Sequence, residues 1–127
     1  MKLRVARHIQ SFEFIIPFYN QVLNLEVLGK FEEHERYSGI FLGKKEENWH
    51  LEFTISDTAP VHTFDEDDML VFYPNTKEEF DLIQRNIINN QVAIETAKNP
   101  YWNRNALVIK DPEGYWIGVV DPNAQLT

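Results

Sequence analysis

Two side chains with acid–base potential stand two residues apart near the middle of the chain. His50 and Glu52 fall in the segment Trp49–Ile55, whose composition is typical of a β-strand. Successive side chains of a strand point to opposite faces, so these two share one face. An imidazole beside a carboxylate could provide a base or a pair of metal ligands. An ordinary hydrogen-bonded strand histidine is the other interpretation of His50.

Several other chemistries are excluded or disfavoured by residue type. The chain has no cysteine, which excludes disulfides, thiolate catalysis and cysteine-ligated zinc. Nothing in it is typical of a serine nucleophile triad or of a glycine-rich phosphate loop. The acidic run Asp65–Asp68 could bind a cation, but it lacks the alternating spacing and the glycine of a calcium loop. This favours a solvated loop.

Size and charge restrict the class of protein. The 127 residues suffice for one domain with a buried core, and 43% apolar and 25% charged residues are close to globular averages. A net charge of −8 disfavours nucleic acid as a partner, because phosphate backbones repel it. No apolar run is long enough for a signal peptide or a membrane span, so we expect a cytoplasmic protein without membrane contact.

The chain repeats one order of predicted elements: a strand, a helix and then three strands. The strands are predicted at Leu3–His8, Leu25–Phe31, Tyr37–Leu42 and Trp49–Ile55, and then at Met69–Tyr73, Val92–Ala97, Ala106–Ile109 and Tyr115–Val120. Ser11 is predicted to cap the first helix, and Thr76 with Glu79 to form a capping box on the second. Pro17 should either bend the first helix or mark the start of its regular part.

This repeat predicts the fold. The class is α+β, a single domain over residues 1–127 with two βαβββ modules at about 1–57 and 68–122 and a linker at about 58–67. One helix covers one face of a four-stranded sheet, so the two bare faces can form a curved mixed sheet around a cleft. We expect a small-molecule ligand in that cleft.

Three motifs in order resemble those of the vicinal oxygen chelate (VOC) superfamily. They are Phe18 and Tyr19 followed by Val22–Val27, the strand segment His50–Phe53, and the turn Asp111–Tyr115. The superfamily includes glyoxalase I, extradiol dioxygenases, and fosfomycin and bleomycin resistance proteins. The segment before the turn is also similar to an uncharacterised glyoxalase-like branch. The resemblance implies the same fold as the repeat does.

Catalytic members of the superfamily hold one divalent metal with four side chains, and the resemblance implies where these would lie. The four places fall at Arg4, Glu52, Asp68 and Gly118. Arg4 has no lone pair to offer and Gly118 has no side chain, so neither can be a ligand. Glu52, Asp68 and the nearby His50 are too few for a tight site unless waters or substrate complete it. We therefore expect no metal cofactor, with a divalent ion at these three residues as the alternative.

Arg4 has two interpretations. On the inner face of the first strand it should meet Glu52 across the cleft, because a buried carboxylate nearly demands a cationic partner. The pair could be a structural replacement for the lost metal. Alternatively, Arg4 could grip an anionic group of the ligand through its planar fork of donors.

Large aromatic side chains complete the predicted ligand site. Trp116 should share the cleft face with Gly118, whose missing side chain would leave room for a flat or apolar ligand. Tyr101 and Trp102 fall in the predicted loop Asn99–Trp102, which could act as a lid. Plain core packing is the alternative for each of these aromatics. The predicted ligand-binding residues are Arg4, His50, Glu52, Tyr101, Trp102 and Trp116.

Three functions are compatible with these residues. A metal-free VOC domain would bind or sequester a small molecule, and a metal-dependent lyase, isomerase or dioxygenase would use Glu52, His50 and Asp68. An interaction module would instead use the sheet for dimerisation around a vestigial cleft. We favour the first function, with the glyoxalase-type enzyme as the alternative. Members of the superfamily often form homodimers, and the resemblance implies one here.

Overall fold

The computed structural model of the chain describes residues 1–124. They fall into two compact units, Met1–His62 and a second unit that begins at Thr63. Both units combine helices with a small mixed sheet, so the predicted α+β class is confirmed. The helices of the described residues are all too short or too polar to cross a membrane.

The first unit has the predicted βαβββ order. Its elements are β1 (Leu3–His8), α1 (Phe12–Gln21), β2 (Glu26–His34), β3 (Tyr37–Gly43) and β4 (Trp49–Ile55). The strands form one sheet in the order β1-β4-β3-β2, in which β1 is parallel to β4 and the other neighbours are antiparallel. All four strands predicted for this half are confirmed.

Helix α1 begins where its cap predicts. The Ser11 hydroxyl accepts a hydrogen bond from the Glu13 backbone N at 3.1 Å. The helix then continues through Pro17, so the interpretation of Pro17 as its start is wrong. Pro17 and Glu13 are both exposed, so water can bond the carbonyl that the proline ring leaves without an intrahelical donor.

The core of the first unit lies between α1 and one face of its sheet. Tyr19 of α1 and Phe53 of β4 are fully buried, and their ring centroids are 5.0 Å apart. His50 and Glu52 alternate with Phe53 along β4, so they point away from α1. The sheet therefore has one apolar face under the helix and one face that carries the polar candidates.

The second unit has the elements β5 (Met69–Phe72), α2 (Lys77–Asn89), α3 (Pro100–Asn105), β6 (Ala106–Lys110) and β7 (Trp116–Val120). Its sheet has the order β5-β7-β6, with β5 parallel and β6 antiparallel to β7. Each unit thus pairs its first strand in parallel with its last strand, which agrees with the repeat seen in the sequence.

Helix α2 begins with the predicted capping box, except that the Glu79 side chain bonds to the backbone of Asn75 instead of that of Thr76. The Thr76 hydroxyl accepts from the Glu79 backbone N at 3.1 Å. The Glu79 carboxylate in turn accepts from the Asn75 backbone N at 3.2 Å. Phe80, Ile83 and Ile87 form the buried face of the helix.

The predicted strand Val92–Ala97 is wrong, because the structure has no strand there. One hydrogen bond, from the Glu95 backbone N to the Val108 carbonyl at 2.7 Å, joins this segment to β6. The Asn103 side chain then satisfies both backbone groups of Ala97, at 2.7 and 2.9 Å. Because a side chain takes the place of a partner strand, pairing stops and the sheet has three strands.

The predicted loop Asn99–Trp102 is also wrong, because helix α3 begins within it. The Asn99 side chain accepts from the Tyr101 backbone N at 3.0 Å, and Pro100 is the first helical residue. An asparagine cap followed by proline is a known helix start, so the sequence did contain this signal.

Candidate functional site

The pairing of β1 with β4 brings three of the predicted site residues onto one face of the first sheet. Arg4 lies opposite His50, and Ala6 lies opposite Glu52. This face is the one that points away from α1. The elements that position the candidate site are therefore two adjacent strands of one sheet.

Arg4 is held from three directions. Its Nε donates a hydrogen bond to His50 Nε2 at 2.9 Å, and its Nη1 lies 3.6 Å from Glu52 Oε2. The guanidinium carbon stands 4.7 Å from the centroid of the Phe41 ring, at a distance typical of a cation–π contact. Arg4 does contact Glu52, as predicted, but as a neighbour within one sheet rather than across a cleft.

The hydrogen bond from Arg4 fixes the state of His50. Arginine can only donate, so His50 Nε2 must carry a lone pair and the neutral ring carries its proton on Nδ1. Burial lowers the pKa of His50 below its ordinary value of 6.5, and the charges of Arg4 and Lys2 lower it further against an opposing effect of Glu52. His50 is therefore a neutral acceptor at neutral pH.

The two charged partners differ in exposure. The Arg4 side chain is 50% exposed, whereas the Glu52 side chain is 15% exposed. Nε and Nη1 of Arg4 make the contacts just described. Nη2 makes none with residues 1–124. The guanidinium thus faces solvent with unused donors, while the carboxylate beside it is mostly covered.

Sequence reasoning missed the aromatic side chains beside Arg4. Phe41 of β3 lies opposite Glu52 of β4, and its ring is 5.7 Å from the His50 ring. Phe31 of β2 lies on the same face, with its ring 6.0 Å from that of Phe41. Both phenylalanines are half-buried.

Glycines make room for these two rings. A Cβ at Gly39 would overlap the Phe31 ring, and a Cβ at Gly29 would touch the Phe41 ring at 3.4 Å. Gly29 lies inside β2 and Gly39 inside β3. The spacings Gly29-x-Phe31 and Gly39-x-Phe41 were the available signal, because period two puts such pairs on one face.

We call this face the Arg4 surface, defined by Arg4, Phe31, Phe41, His50 and Glu52. It combines a fixed, half-exposed cation with two half-buried phenyl rings and a neutral imidazole. Such a surface can bind an anion that carries a flat apolar body.

The donors present do not fit the metal that the VOC resemblance implies. Among residues 1–124, no group of three or more histidine, aspartate or glutamate side chains could hold a metal ion. The Nε2 lone pair of His50 already accepts from Arg4, and a cation beside the fixed Arg4 charge would be repelled. Metal binding through His50 would require Arg4 to move away.

Asp68, the third candidate ligand, lies in an exposed loop of the second unit. The Asp65 side chain accepts from the Asp67 backbone N at 2.8 Å, and the Asp65 carbonyl accepts from the Asp68 backbone N at 3.0 Å. These bonds form a local turn before β5, and Asp68 is exposed there. The arrangement agrees with the interpretation of this run as a solvated loop.

The aromatic candidates of the second unit pack together. Trp116 is 6% exposed and forms a cluster with Ala97, Val108, Met69 and Trp102. Its ring also lies 4.6 Å below the Lys110 ammonium group. Most of the ring is therefore already in contact with protein groups.

The expected room beside Gly118 is filled. A Cβ on Gly118 would lie 3.3 Å from Met69 Sδ, 3.9 Å from Val71 Cγ2 and 4.0 Å from Trp102 Cε3. Trp102 comes from α3, and the Tyr101 ring packs edge-on against it at 4.9 Å. The prediction of an open floor at Gly118 is wrong, because these side chains occupy the space.

The order of elements and the strand pairing define a fold of the VOC class, which solved structures confirm. Glyoxalase I of Leishmania major superposes with a TM-score of 0.72 and 21% identity, covering 96% of this chain and 86% of that chain. The antibiotic-binding protein TnmS3 of Streptomyces sp. CB03234 has a TM-score of 0.67 and 16% identity, covering 97% and 96%. At these identities the likeness shows the fold alone.

The family follows from closer matches. Residues 3–54 match the YycE-like N-terminal domain and residues 67–120 the YycE-like C-terminal domain. The uncharacterised protein YycE of Bacillus subtilis (strain 168) is 34% identical over 120 residues, which are 91% of this chain and 84% of YycE. A crystal structure of YycE from Bacillus subtilis, a protein of unknown function, has a TM-score of 0.83 and 31% identity over 99% of this chain and 92% of that one. The chain belongs to the YycE-like family.

Proposed function

We propose that this protein binds an organic small molecule with an anionic group at the Arg4 surface, without a metal cofactor. The observation that carries the proposal is the state of Arg4. Its guanidinium is fixed by His50 and Phe41, yet its side chain is half exposed and keeps unused donors. A charged group held in place before the ligand arrives loses little conformational entropy on binding.

A purely structural ion pair is the competing explanation of Arg4. A structural partner for Glu52 would be expected to make a short hydrogen bond to it, but Nη1 and Oε2 are 3.6 Å apart. The shorter contact of Arg4 goes to a neutral histidine, which needs no countercharge. This geometry supports a role for Arg4 in orienting its donors toward a ligand.

A metal-dependent enzyme of the glyoxalase type is the second candidate. It is favoured by the common face of His50 and Glu52 and by the fold shared with a glyoxalase I. Binding without chemistry is supported by the fold shared with an antibiotic-binding protein and by the positive charge of Arg4, which lies beside both His50 and Glu52. We prefer the binding protein, because the hydrogen bond from Arg4 competes directly with coordination by His50.

A cytoplasmic location and a homodimer are part of the proposal. The composition without cysteine suits a reducing compartment. The superfamily resemblance suggests assembly in pairs. Size-exclusion chromatography with light scattering would measure the oligomeric state directly.

The proposal predicts ligands whose binding depends on Arg4. In a thermal-shift screen of organic carboxylates, sulfonates, phosphonates and neutral analogues, we expect some anions to raise the Tm of the wild type. Arg4→Met should abolish this shift, and Arg4→Lys should retain a small part of it, because a lysine keeps the charge but loses the fork. Arg36→Met, at an exposed arginine of the β2–β3 hairpin, is the matched control and should behave as wild type.

Two outcomes of this screen would contradict the proposal. Anions could raise the Tm of Arg4→Met as much as that of the wild type, which would place their site elsewhere. Alternatively, no compound could shift the Tm of the wild type while Arg4→Met is as stable as the wild type. That result would leave Arg4 with neither a ligand nor a structural role.

A further inference from the structure

The unused donors of Arg4 define the shape of the group that they can bind. Nε donates to His50, so the two terminal nitrogens are left to bind a ligand: Nη2 has no contact among residues 1–124, and Nη1 has only the long contact of 3.6 Å with Glu52. Two parallel donors in one plane match the two oxygens of a carboxylate. The orientation of that plane is set by the Phe41 ring, 4.7 Å from the guanidinium carbon.

The surroundings of Arg4 define the body that the anionic group is attached to. Next to the cation, the Phe41 and Phe31 rings stand 6.0 Å apart on neighbouring strands. Gly39 and Gly29 lie on the same face, and the Phe31 and Phe41 rings lie against their backbone where a Cβ would otherwise stand. A flat unsaturated body can stack on such a low aromatic surface more closely than a branched aliphatic one can.

The charge beside Arg4 limits the charge of the ligand. Glu52 Oε2 is 3.6 Å from Nη1, so an anion bound to the fork lies close to a second carboxylate. The charges of Arg4 and Glu52 offset each other, and the charge of the exposed Lys2 also acts on His50. A ligand with one negative charge can pair with Arg4, whereas the second charge of a dianion is repelled by Glu52.

We propose that the ligand of the Arg4 surface is a planar aromatic monocarboxylate, with its carboxylate on the terminal nitrogens of Arg4 and its ring on the Phe31 side of the Arg4 surface, because the guanidinium already lies over Phe41. This inference rests on the proposed function, because it requires the Arg4 surface to be a ligand site. It goes further in choosing a planar, singly charged group over the tetrahedral dianion of a phosphonate or phosphate.

Three probes with the same ring separate charge from shape. They are 2-naphthoate, naphthalene-2-sulfonate and 2-naphthylphosphonate, compared by isothermal titration calorimetry at a pH where the phosphonate is a dianion. We expect 2-naphthoate to bind about tenfold more tightly than the phosphonate, with the singly charged sulfonate between them. Arg4→Met should remove the binding of 2-naphthoate, while Arg36→Met should leave it unchanged.

A variant of Glu52 tests the reason for the preference. Glu52→Gln keeps the size of the side chain and removes its charge, so the phosphonate should gain affinity relative to 2-naphthoate by about tenfold. An unchanged ratio in this variant would overturn the charge argument.

The failure of this inference can be told apart from the failure of the proposed function. Phosphonate binding as tight as that of 2-naphthoate, and lost in Arg4→Met, would overturn the ligand class while supporting the Arg4 site. Weak or absent binding of all three naphthyl probes, with Arg4-dependent binding of other anions from the screen, would overturn the aromatic body. Binding of 2-naphthoate that is equal in Arg4→Met and the wild type would count against both proposals.

Discussion

Replacing Gly118 with glutamate is expected to lower the free energy of unfolding by about 3 kcal/mol at neutral pH. The position is buried, and a side chain there would meet Met69, Val71 and Trp102 at 3.3 to 4.0 Å from its Cβ. A carboxylate among these apolar side chains loses its hydration. Chemical denaturation followed by tryptophan fluorescence would measure the effect.

Two control substitutions separate charge from volume at this position. Gly118→Gln has nearly the same size without the charge, and Gly118→Ala adds the Cβ alone. We expect the order of stability to be alanine, then glutamine, then glutamate, with the gap between the last two closing at acidic pH as the carboxyl group is protonated. A Gly118→Glu variant as stable as Gly118→Gln that gains a bound metal would show that the site still accepts a ligand.

Gly39→Ala is expected to lower the free energy of unfolding by about 1–2 kcal/mol, because its methyl group would overlap the Phe31 ring. The ring must swing away, which would disrupt its contact with Phe41 on the Arg4 surface. We therefore expect weaker binding of 2-naphthoate as well. Denaturant unfolding and calorimetric titration of the same variant would measure the two effects.

Gly29→Ala is the matched control for Gly39→Ala. Both glycines lie inside strands of the first sheet on the same face, and neither has a positive φ. A Cβ at Gly29 would make an ordinary contact with the Phe41 ring at 3.4 Å, so a change within about 0.5 kcal/mol is expected. Equal effects of the two substitutions would contradict the explanation given for Gly39.

Most of the fold could be predicted because local signals and the repeat agreed. The strands Leu3–His8 and Trp49–Ile55 were predicted with their observed bounds, since alternation and flanking polar residues define them. Val92–Ala97 failed because the side chain of Asn103 satisfies Ala97 in place of a strand. Whether such a side-chain hydrogen bond forms depends on where the fold places Asn103. Strand propensity carries no information about that position.

The candidate site was predicted in part. The two-residue period of a strand was enough to place His50 and Glu52 on one face. Arg4 was indicated because a covered carboxylate needs a cationic partner. Strand order was needed to show that Arg4 and Glu52 are neighbours in one sheet. Phe41 was missed because its position beside Glu52 follows from the pairing of β3 with β4, which the alternation within one strand does not show.

The second half of the predicted site depended on packing that the sequence does not specify. Trp116 and Gly118 do share one face of β7, as alternation indicated. The space beside Gly118 is filled by Trp102, whose position follows from helix α3 and from the Asn103 hydrogen bonds to Ala97. The ligand-binding roles of Tyr101, Trp102 and Trp116 stay predictions.

The central claim is that the Arg4 surface binds an organic anion without a metal, and the most direct test is the metal content of the ligand-binding protein. Untagged protein purified without chelators would be measured by mass spectrometry of its metals and then titrated with nickel, zinc, manganese and ferrous iron. We predict far less than one ion per chain, no saturable metal binding, and ligand affinity unchanged by a chelator. About one tightly held ion per chain, lost in Glu52→Gln, would contradict this account and favour a metal-dependent enzyme.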